Sequence, residues 1–359
     1  MKKNLISLIS FIVLVVILIL VIGQIFIPRF KVGINQGPFY IIKGFEKVEK
    51  NTLDILFIGS SNSYESISPM ELWNDLGITS YDYGISASRI HENYYFLKYA
   101  ITKQSPKVIF MDVTTCFYED KQTEPMKRRS FDYFPFSKIK IEMMNDPVFE
   151  NTFEDKVSIL LPLLRYHDRW NRPNIGYYND KYEVFNKGFV ISNSYNPVDK
   201  KIDNMHEEPK ELELDEMNRT YLDKIIEFCK DNNLDLVLTA FPNYKDWDNN
   251  KSEAFKKYAA EKDVKFFEMN NVSDTGIDWL KDTGDKGIHT NIIGSLKATK
   301  YMEKYIQENY SFEDKRNNKK YESWNKDYIK YKEILDKEIE LLKDKIKNNK
   351  IDKKRKEEA

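Results

Sequence analysis

Short apolar runs alternate with amphipathic segments between residues 51 and 310 of this 359-residue chain. Apolar runs bounded by turn residues predict buried strands, and apolar positions every three or four residues predict helices. Such alternation predicts an α/β fold, and five strands with covering helices fit a flavodoxin-like, doubly wound parallel sheet. We predict strands at Leu53–Ile58, Ile78–Tyr83, Lys107–Val113, Leu234–Leu238 and Val264–Phe267, and helices at Pro69–Leu76, within Arg89–Lys103, and at Tyr221–Cys229, Ala254–Ala260 and Ile292–Ile306.

A long apolar stretch, from Leu5 to Ile27, precedes this pattern. Its length satisfies the ~20 residues that a transmembrane helix needs. A cleaved signal peptide is the alternative, but its apolar core is usually shorter and ends in small residues, so we favour an uncleaved anchor. Lys2, Lys3 and the amino terminus narrowly outweigh the charges of Arg29 and Lys31. This balance predicts that the rest of the chain lies outside the cytoplasm.

Two other segments depart from the alternation. Residues of about 117–215 are rich in aromatic and basic side chains, and a connection of that length normally has a role. We predict an inserted cap there, helical in part around Phe153–Trp170, which is either a substrate-recognising lid or a second packing layer. The predicted organisation is an anchor at 1–30, a linker at 31–50, a body at 51–310 that contains this cap, and a C-terminal segment at 311–359.

The C-terminal segment is dominated by charged residues but carries a narrow apolar stripe. Apolar residues at three- and four-residue spacings, from Tyr328 to Ile346, predict an amphipathic helix. The sequence leaves open whether this helix docks on the body, forms a short coiled coil or remains a solvated tail.

The composition of the chain excludes some classes of function but does not identify one. The chain has 56 Lys and Arg against 57 Asp and Glu, so its formal net charge of −1 gives no basic field for nucleic acid. Cys116 and Cys229 have no metal-like spacing, and the sequence leaves open whether they form a disulfide. We therefore predict no metal, no cofactor and no nucleic-acid partner.

Candidate chemistry begins where the first strand ends, at Gly59-Ser60-Ser61. Open α/β sheets place ligands at the carboxyl ends of their strands. A serine becomes a nucleophile when an imidazole takes its proton and a carboxylate orients that imidazole. The turn-rich segment before the last helix of the body supplies both in His289 and Asp285. The sequence therefore predicts a triad of Ser61, His289 and Asp285.

These segments resemble the SGNH, or GDSL, hydrolase superfamily. The resemblance rests on Gly59-Ser60-Ser61, on Gly84-Ile-Ser-Ala-Ser88, on Met111-Asp-Val-Thr-Thr115 and on the acidic and histidine residues from Asp282 to His289. Within the superfamily, the chain is similar to membrane-anchored bacterial proteins linked to D-alanylation of teichoic acids or to O-acetylation of alginate and other exopolysaccharides. The resemblance implies an SGNH hydrolase fold, with Ser61 as nucleophile, His289 as base and Asp285 as its carboxylate.

The resemblance also implies oxyanion donors, here at Gly84, Ala87 and Thr114, with Thr115 as the alternative to Thr114. The chain departs from the family pattern at these positions. Ala87 stands where the oxyanion glycine is expected, and a threonine replaces the usual asparagine. Ser60 stands where most members have aspartate, and Asp285 is four residues before His289 instead of three, which leaves Asp282 as a second candidate for the triad acid.

Together these observations predict a membrane-anchored, extracytoplasmic serine O-acyl esterase or acyltransferase that acts on a cell-envelope glycopolymer. Arg165, His167 and Trp170 of the cap are its candidate substrate-binding residues. The predicted partners are the membrane bilayer, the cell-envelope glycopolymer and, as the resemblance implies, a membrane-bound O-acyltransferase. The alternative prediction is a catalytically weak scaffold or polymer-binding accessory protein of an envelope O-acylation complex.

Overall fold

The computed structural model describes residues 2–29, 37–118, 122–171, 185–200 and 205–357. The chain divides into two compact units. The first unit comprises Met1–Phe30 and Thr123–Tyr182, and the second comprises Lys31–Gln122 and Glu183–Ala359.

A five-stranded parallel sheet forms the centre of the second unit. Its strands are β1 (Ile55–Gly59), β2 (Ser80–Gly84), β3 (Val108–Asp112), β4 (Asp235–Ala240) and β5 (Lys265–Glu268). Their order is β2-β1-β3-β4-β5, and every neighbouring pair is parallel. This is the flavodoxin-like order, so the predicted doubly wound α/β fold is confirmed. The order reverses beside β1, where such sheets bind their ligands.

The helices of the second unit surround this sheet. They are α2 (Pro38–Phe45), α3 (Ser61–Tyr64), α4 (Pro69–Leu76), α5 (Ile90–Ile101), α10 (Glu216–Asp231), α11 (Asn249–Lys262), α12 (Val272–Thr275), α13 (Ile292–Asn309) and α14 (Glu322–Glu357). Each helix predicted from apolar spacing is present.

Several helices begin earlier than their apolar spacing predicts. The side chain of Asp215 accepts a hydrogen bond from the Asn218 amide (2.8 Å), and that of Asp248 accepts one from the Lys251 amide (3.0 Å). These aspartates cap α10 and α11, whose first turns contain a single apolar residue, Met217. One apolar residue does not establish a helical spacing, so the caps begin each helix before its predicted start.

One face of the sheet builds the main hydrophobic core. Phe57 of β1 and Phe110 of β3 stack with ring centroids 5.3 Å apart. Leu72 of α4 and Met302 of α13 belong to the same buried cluster. On the other side of the sheet, α5 contacts β1 and α10 contacts β4. Helices therefore cover both faces, and the polar chemistry is left to the strand ends.

The C-terminal helix α14 docks on the body. The Ser68 hydroxyl donates a hydrogen bond to the Tyr331 hydroxyl (2.8 Å), and the Trp73 indole donates one to Asn325 Oδ1 (3.2 Å). Tyr331 and Leu342 are fully buried. Of the alternatives that the sequence left open, the structure shows the docked helix.

The first unit contains five α-helices among its described residues. They are α1 (Lys2–Phe26), α6 (Glu124–Tyr133), α7 (Lys138–Asn145), α8 (Phe153–Leu160) and α9 (Pro162–Tyr166). The stretch Lys3–Phe26 of α1 is long and apolar enough to cross a membrane. Helices α6 to α9 come from the segment predicted as a cap, and the role of that segment as a lid stays a prediction.

Candidate active site

The chain turns sharply where β1 passes into α3. Ser60 caps this short helix, and its Oγ accepts a hydrogen bond from the Asn62 amide (3.2 Å). Gly59 has no room for a side chain, because a Cβ there would lie 2.2 Å from the Cβ of Asp112. Ser61 is the first residue of α3, so its backbone amide has no partner within the helix. The turn thus presents both the hydroxyl and the amide of Ser61 at the end of the strand.

Ser61, His289 and Asp285 are in hydrogen-bonding contact. His289 Nε2 lies 2.8 Å from Ser61 Oγ, and His289 Nδ1 lies 2.5 Å from Asp285 Oδ2. The other carboxylate oxygen of Asp285 accepts a hydrogen bond from the His289 amide (2.8 Å). Asp285 therefore fixes both the backbone and the ring of His289, and the ring nitrogen next to Ser61 is placed to accept its proton.

Asp282, the second candidate for the acid, has other partners. Its carboxylate accepts hydrogen bonds from Lys297 Nζ (2.6 Å) and from the Asp278 amide (2.7 Å). It is 2% exposed, and its main-chain oxygen accepts the amide of Asn291, which caps α13. These contacts fix Asp282 within the loop before α13, whereas Asp285 is the aspartate that contacts the imidazole.

Asp112, at the end of β3, stabilises the turn between β1 and α3. It accepts hydrogen bonds from the amide and hydroxyl of Ser60 (3.0 and 2.5 Å) and from the amide of Thr114 (2.9 Å). Burial raises the pKa of Asp112, and these four donors, which include the Thr114 hydroxyl, oppose that effect. Sequence reasoning placed Asp112 in a family segment but gave it no role. Its position at a strand end, level with Gly59, was the available signal.

The three predicted oxyanion residues have different surroundings. Gly84 pairs with Gly59 across the sheet. Ala87 has a left-handed backbone (φ +57°) in the turn after β2, and its amide donates no hydrogen bond to any described residue. The Thr114 hydroxyl donates to Asp112 and accepts from Asn62 Nδ2 (2.7 Å). The amides of Ser61 and Ala87 are therefore available as donors, whereas the hydroxyl of Thr114 is engaged; its role stays a prediction.

A cavity of about 330 Å³ opens at Ser61 and His289. Most of its lining residues have polar side chains, including the carboxylates of Glu65 and Asp285, and no lysine or arginine is among the described ones. The hydroxyl groups that line it belong to Ser61, Tyr64, Ser86, Ser192, Ser194 and Thr290. The space fits a small acyl group beside the Ser61 hydroxyl.

Glu65 is a feature of this cavity that sequence reasoning missed. It is 7% exposed, and its carboxylate accepts no hydrogen bond from the part of the chain that the structure describes. Its main-chain oxygen accepts the hydroxyls of Thr290 (2.9 Å) and Ser295 (2.6 Å), which ties it to the loop that carries His289. Its position one helical turn after Ser61 was the available signal, because such residues share a helix face.

The charges in this cavity favour a protonated imidazole. Burial lowers the pKa of His289, but the nearby carboxylates of Glu65 and Asp285 outweigh it and raise that pKa to about 9. Burial likewise raises the pKa of Asp285, but the hydrogen bonds and charge of His289, together with the hydroxyl of Thr283, outweigh it and leave that pKa lowered. Burial raises the pKa of Glu65. The site is thus well suited to stabilise an imidazolium.

The candidate substrate-binding residues lie in the first unit. Arg165 forms an ion pair with Glu124, His167 Nδ1 lies 3.0 Å from the main-chain oxygen of Leu164, and Trp170 is 73% exposed. Their role in substrate binding stays a prediction. Cys116 and Cys229 are both free and buried. Among the described residues, no group of three or more His, Cys, Asp or Glu is arranged to hold a metal ion.

Comparisons with known proteins add little to this geometry. No family model matches the chain, and no curated protein matches it. Among solved structures, it is similar to a "putative acylhydrolase" of Bacteroides fragilis NCTC 9343, with a TM-score of 0.37 and 10% sequence identity. The match covers 74% of this chain and 94% of that protein. Any chemistry assigned to Ser61 therefore depends on its own contacts.

Proposed function

We propose that this protein is a membrane-anchored serine O-acyl esterase or acyltransferase. The observation that carries the proposal is the hydrogen-bonded series from Ser61 Oγ through the ring of His289 to Asp285. Serine hydrolases use this arrangement to activate a hydroxyl, to hold the imidazole in the required tautomer and to stabilise its charged form. The small cavity beside Ser61 supports an acyl group as the part of the substrate that reacts.

The reaction has two halves. Ser61 Oγ attacks the carbonyl carbon of the acyl group while His289 Nε2 accepts its proton, and the amides of Ser61 and Ala87 stabilise the oxyanion that forms. The intermediate collapses to an acyl-serine as His289 returns the proton to the departing oxygen. An incoming water or sugar hydroxyl then gives its proton to His289 and attacks the ester. The second intermediate collapses as its bond to Ser61 Oγ breaks and His289 returns the proton to that oxygen, which releases the acyl product. Water as acceptor makes the protein an esterase, and a sugar hydroxyl makes it an acyltransferase.

The substrate and the compartment are proposed on other grounds. The resemblance to membrane-anchored SGNH proteins favours a cell-envelope glycopolymer, such as a teichoic acid or an exopolysaccharide, and a membrane-bound O-acyltransferase as partner. The apolar helix α1 and the charges at its two ends favour an extracytoplasmic body. The two carboxylates of the cavity wall, with no lysine or arginine among its described lining residues, favour neutral or positively charged acyl groups over anionic ones.

Labelling with a fluorophosphonate tests this chemistry, because only an activated serine displaces its fluoride. We expect the full-length protein to become labelled and Ser61→Ala to lose all labelling. Ser194→Ala is the matched control, since Ser194 lines the same cavity without contacting His289. Loss of labelling in Ser194→Ala but not in Ser61→Ala would show that Ser61 is not the nucleophile.

A catalytically weak scaffold is the second candidate function. The contacts of Thr114 favour it, because its hydroxyl is held by Asp112 and Asn62 and the side-chain oxyanion donor of the family is lacking. Loss of one such donor costs roughly 10²–10³ in turnover. A folded full-length protein that takes up no fluorophosphonate would favour the scaffold over the enzyme.

A further inference from the structure

Part of the first unit packs against the end of the apolar helix α1. Arg169 Nη1 donates a hydrogen bond to the main-chain oxygen of Phe26 (2.7 Å), close to the last turn of α1. A Cβ built on Gly23 would lie 3.2 Å from the backbone nitrogen of Leu163, so the two backbones approach closely. Beyond α1, the Tyr133 hydroxyl donates to the main-chain oxygen of Pro28 (2.8 Å). Helix α9 and the 3₁₀ helix His167–Asn171 are therefore fixed beside the end of α1.

The depth of this contact follows from the length of α1. A helix of 25 residues is about 37 Å long, and the hydrocarbon core of a bilayer is about 30 Å thick. If α1 spans the bilayer, its last turn reaches the boundary between hydrocarbon and headgroups. Gly23 and Phe26 lie in that turn, so the segment packed against them lies at the same boundary.

That segment exposes two large apolar side chains among its polar ones. Leu164 is 55% exposed and Trp170 is 73% exposed. Tryptophan is enriched at membrane interfaces, where its ring contacts the acyl chains and its N–H remains hydrated. Arg165, His167 and Asp168 are also exposed in this segment, and Arg165 is paired with Glu124. The two basic side chains are suited to the phosphates of lipid headgroups.

We propose that residues 162–171, the interfacial segment, form a second membrane contact on the leaflet that holds the end of α1. Leu164 and Trp170 enter the interfacial region, and the basic side chains face the headgroups. Lipid is the occupant because the surface continues the lipid-facing surface of α1, whose most apolar window has no buried residue. The same placement gives Trp170 a role other than the substrate contact predicted from the sequence.

Lipid quenching tests this contact in the full-length protein reconstituted into vesicles of zwitterionic and anionic phospholipid. An environment-sensitive fluorophore is attached in turn to Leu164→Cys and Trp170→Cys, and lipids carry a nitroxide just below the headgroup. We expect a blue-shifted emission at both positions and loss of most of the fluorescence when the nitroxide lipid is present. The unsubstituted chain, in which both cysteines are buried, gives the background of labelling.

Ile329→Cys is the matched control, because Ile329 is an apolar residue of the second unit that is 69% exposed. It shows how strongly exposure of an apolar position alone draws the fluorophore into lipid. Stronger quenching at position 164 or 170 than at 329 supports the interfacial segment. Quenching at neither position above that of the control overturns it, including the case in which a protein partner or the glycopolymer covers this surface instead. Neither result affects fluorophosphonate labelling of Ser61, so the two proposals can fail separately.

Discussion

Asp285 and Asp282 have different hydrogen-bond partners, and the consequences of this difference can be measured. Asp285→Asn replaces the acceptor of the His289 ring proton, and we expect a loss in kcat on the order of 10⁴, as for the equivalent change in other serine triads. Asp282→Asn weakens contacts with Lys297 and the Asp278 amide, so we expect near-normal kcat per folded molecule and a stability loss of about 1–3 kcal/mol. Steady-state ester hydrolysis and urea unfolding of both variants check this, and the reverse result would make Asp282 the triad acid.

The carboxylate of Glu65 is one of the charges that raise the pKa of His289, which gives a prediction about pH. Only the neutral imidazole accepts the Ser61 proton, so activity rises with pH through the His289 pKa of about 9. Glu65→Gln removes a negative charge that favours the imidazolium, so that pKa falls and the rising limb moves to lower pH.

The matched control for this pH profile is Glu303→Gln. Glu303 is a buried glutamate of α13 that contacts Lys300 instead of the cavity. Its substitution should leave the limb in place when kcat/KM is measured between about pH 6 and pH 10, a window that brackets the ordinary and raised histidine pKa. An unchanged limb in Glu65→Gln would show that Glu65 does not act on His289.

Among single residues, the sequence predicts the roles of those whose side chains together form a known catalytic set. Ser61, His289 and Asp285 could be named because a serine after a strand and an acid close to a histidine form a recognisable set. Asp112 and Glu65 could not be assigned roles, because a single carboxylate has no distinctive neighbours in sequence. Their roles come from packing that joins β1 to β3 and α3 to the His289 loop.

Helix α14 provides the clearest prediction at the scale of an element. Leu342 is fully buried, whereas its neighbour Leu341 is 42% exposed. Leu342→Ala should lower the free energy of unfolding by about 2–5 kcal/mol, the usual cost of truncating a buried leucine. Leu341→Ala should change it by no more than about 0.5 kcal/mol. Denaturant unfolding of the two variants compares them, and equal small effects would mean that α14 is not docked in solution.

The elements themselves show which information periodicity carries. The apolar run that predicts a strand at Ile78–Tyr83 includes Ile78, yet β2 begins at Ser80. Ile78 is apolar because it belongs to the buried cluster beside β1, although its backbone is outside the strand. An apolar pattern reports burial, and burial coincides with a strand only where the backbone also pairs.

For the whole molecule, the apolar helix α1 follows from the sequence more readily than its surroundings do. Length and apolarity suffice to predict α1. They do not predict that helices α6 to α9, which begin about a hundred residues later, share a compact unit with it. The unit is held together by contacts between segments that are distant in sequence, such as Gly23 with Leu163 and Arg169 with Phe26. The local periodicity of apolar residues does not predict such contacts.

The orientation of α1 decides whether Ser61 has access to an envelope polymer. The proposed substrate therefore depends on the predicted extracytoplasmic orientation. In cells that express the full chain, a membrane-impermeant maleimide should label Glu308→Cys, an exposed position of α13, without permeabilisation. Asn4→Cys, an uncharged position near the amino-terminal end of α1, should be labelled only after permeabilisation. Both native cysteines are buried and should react little in the folded chain. The opposite pattern would place Ser61 in the cytoplasm, and an esterase there would need a substrate that reaches that side of the membrane.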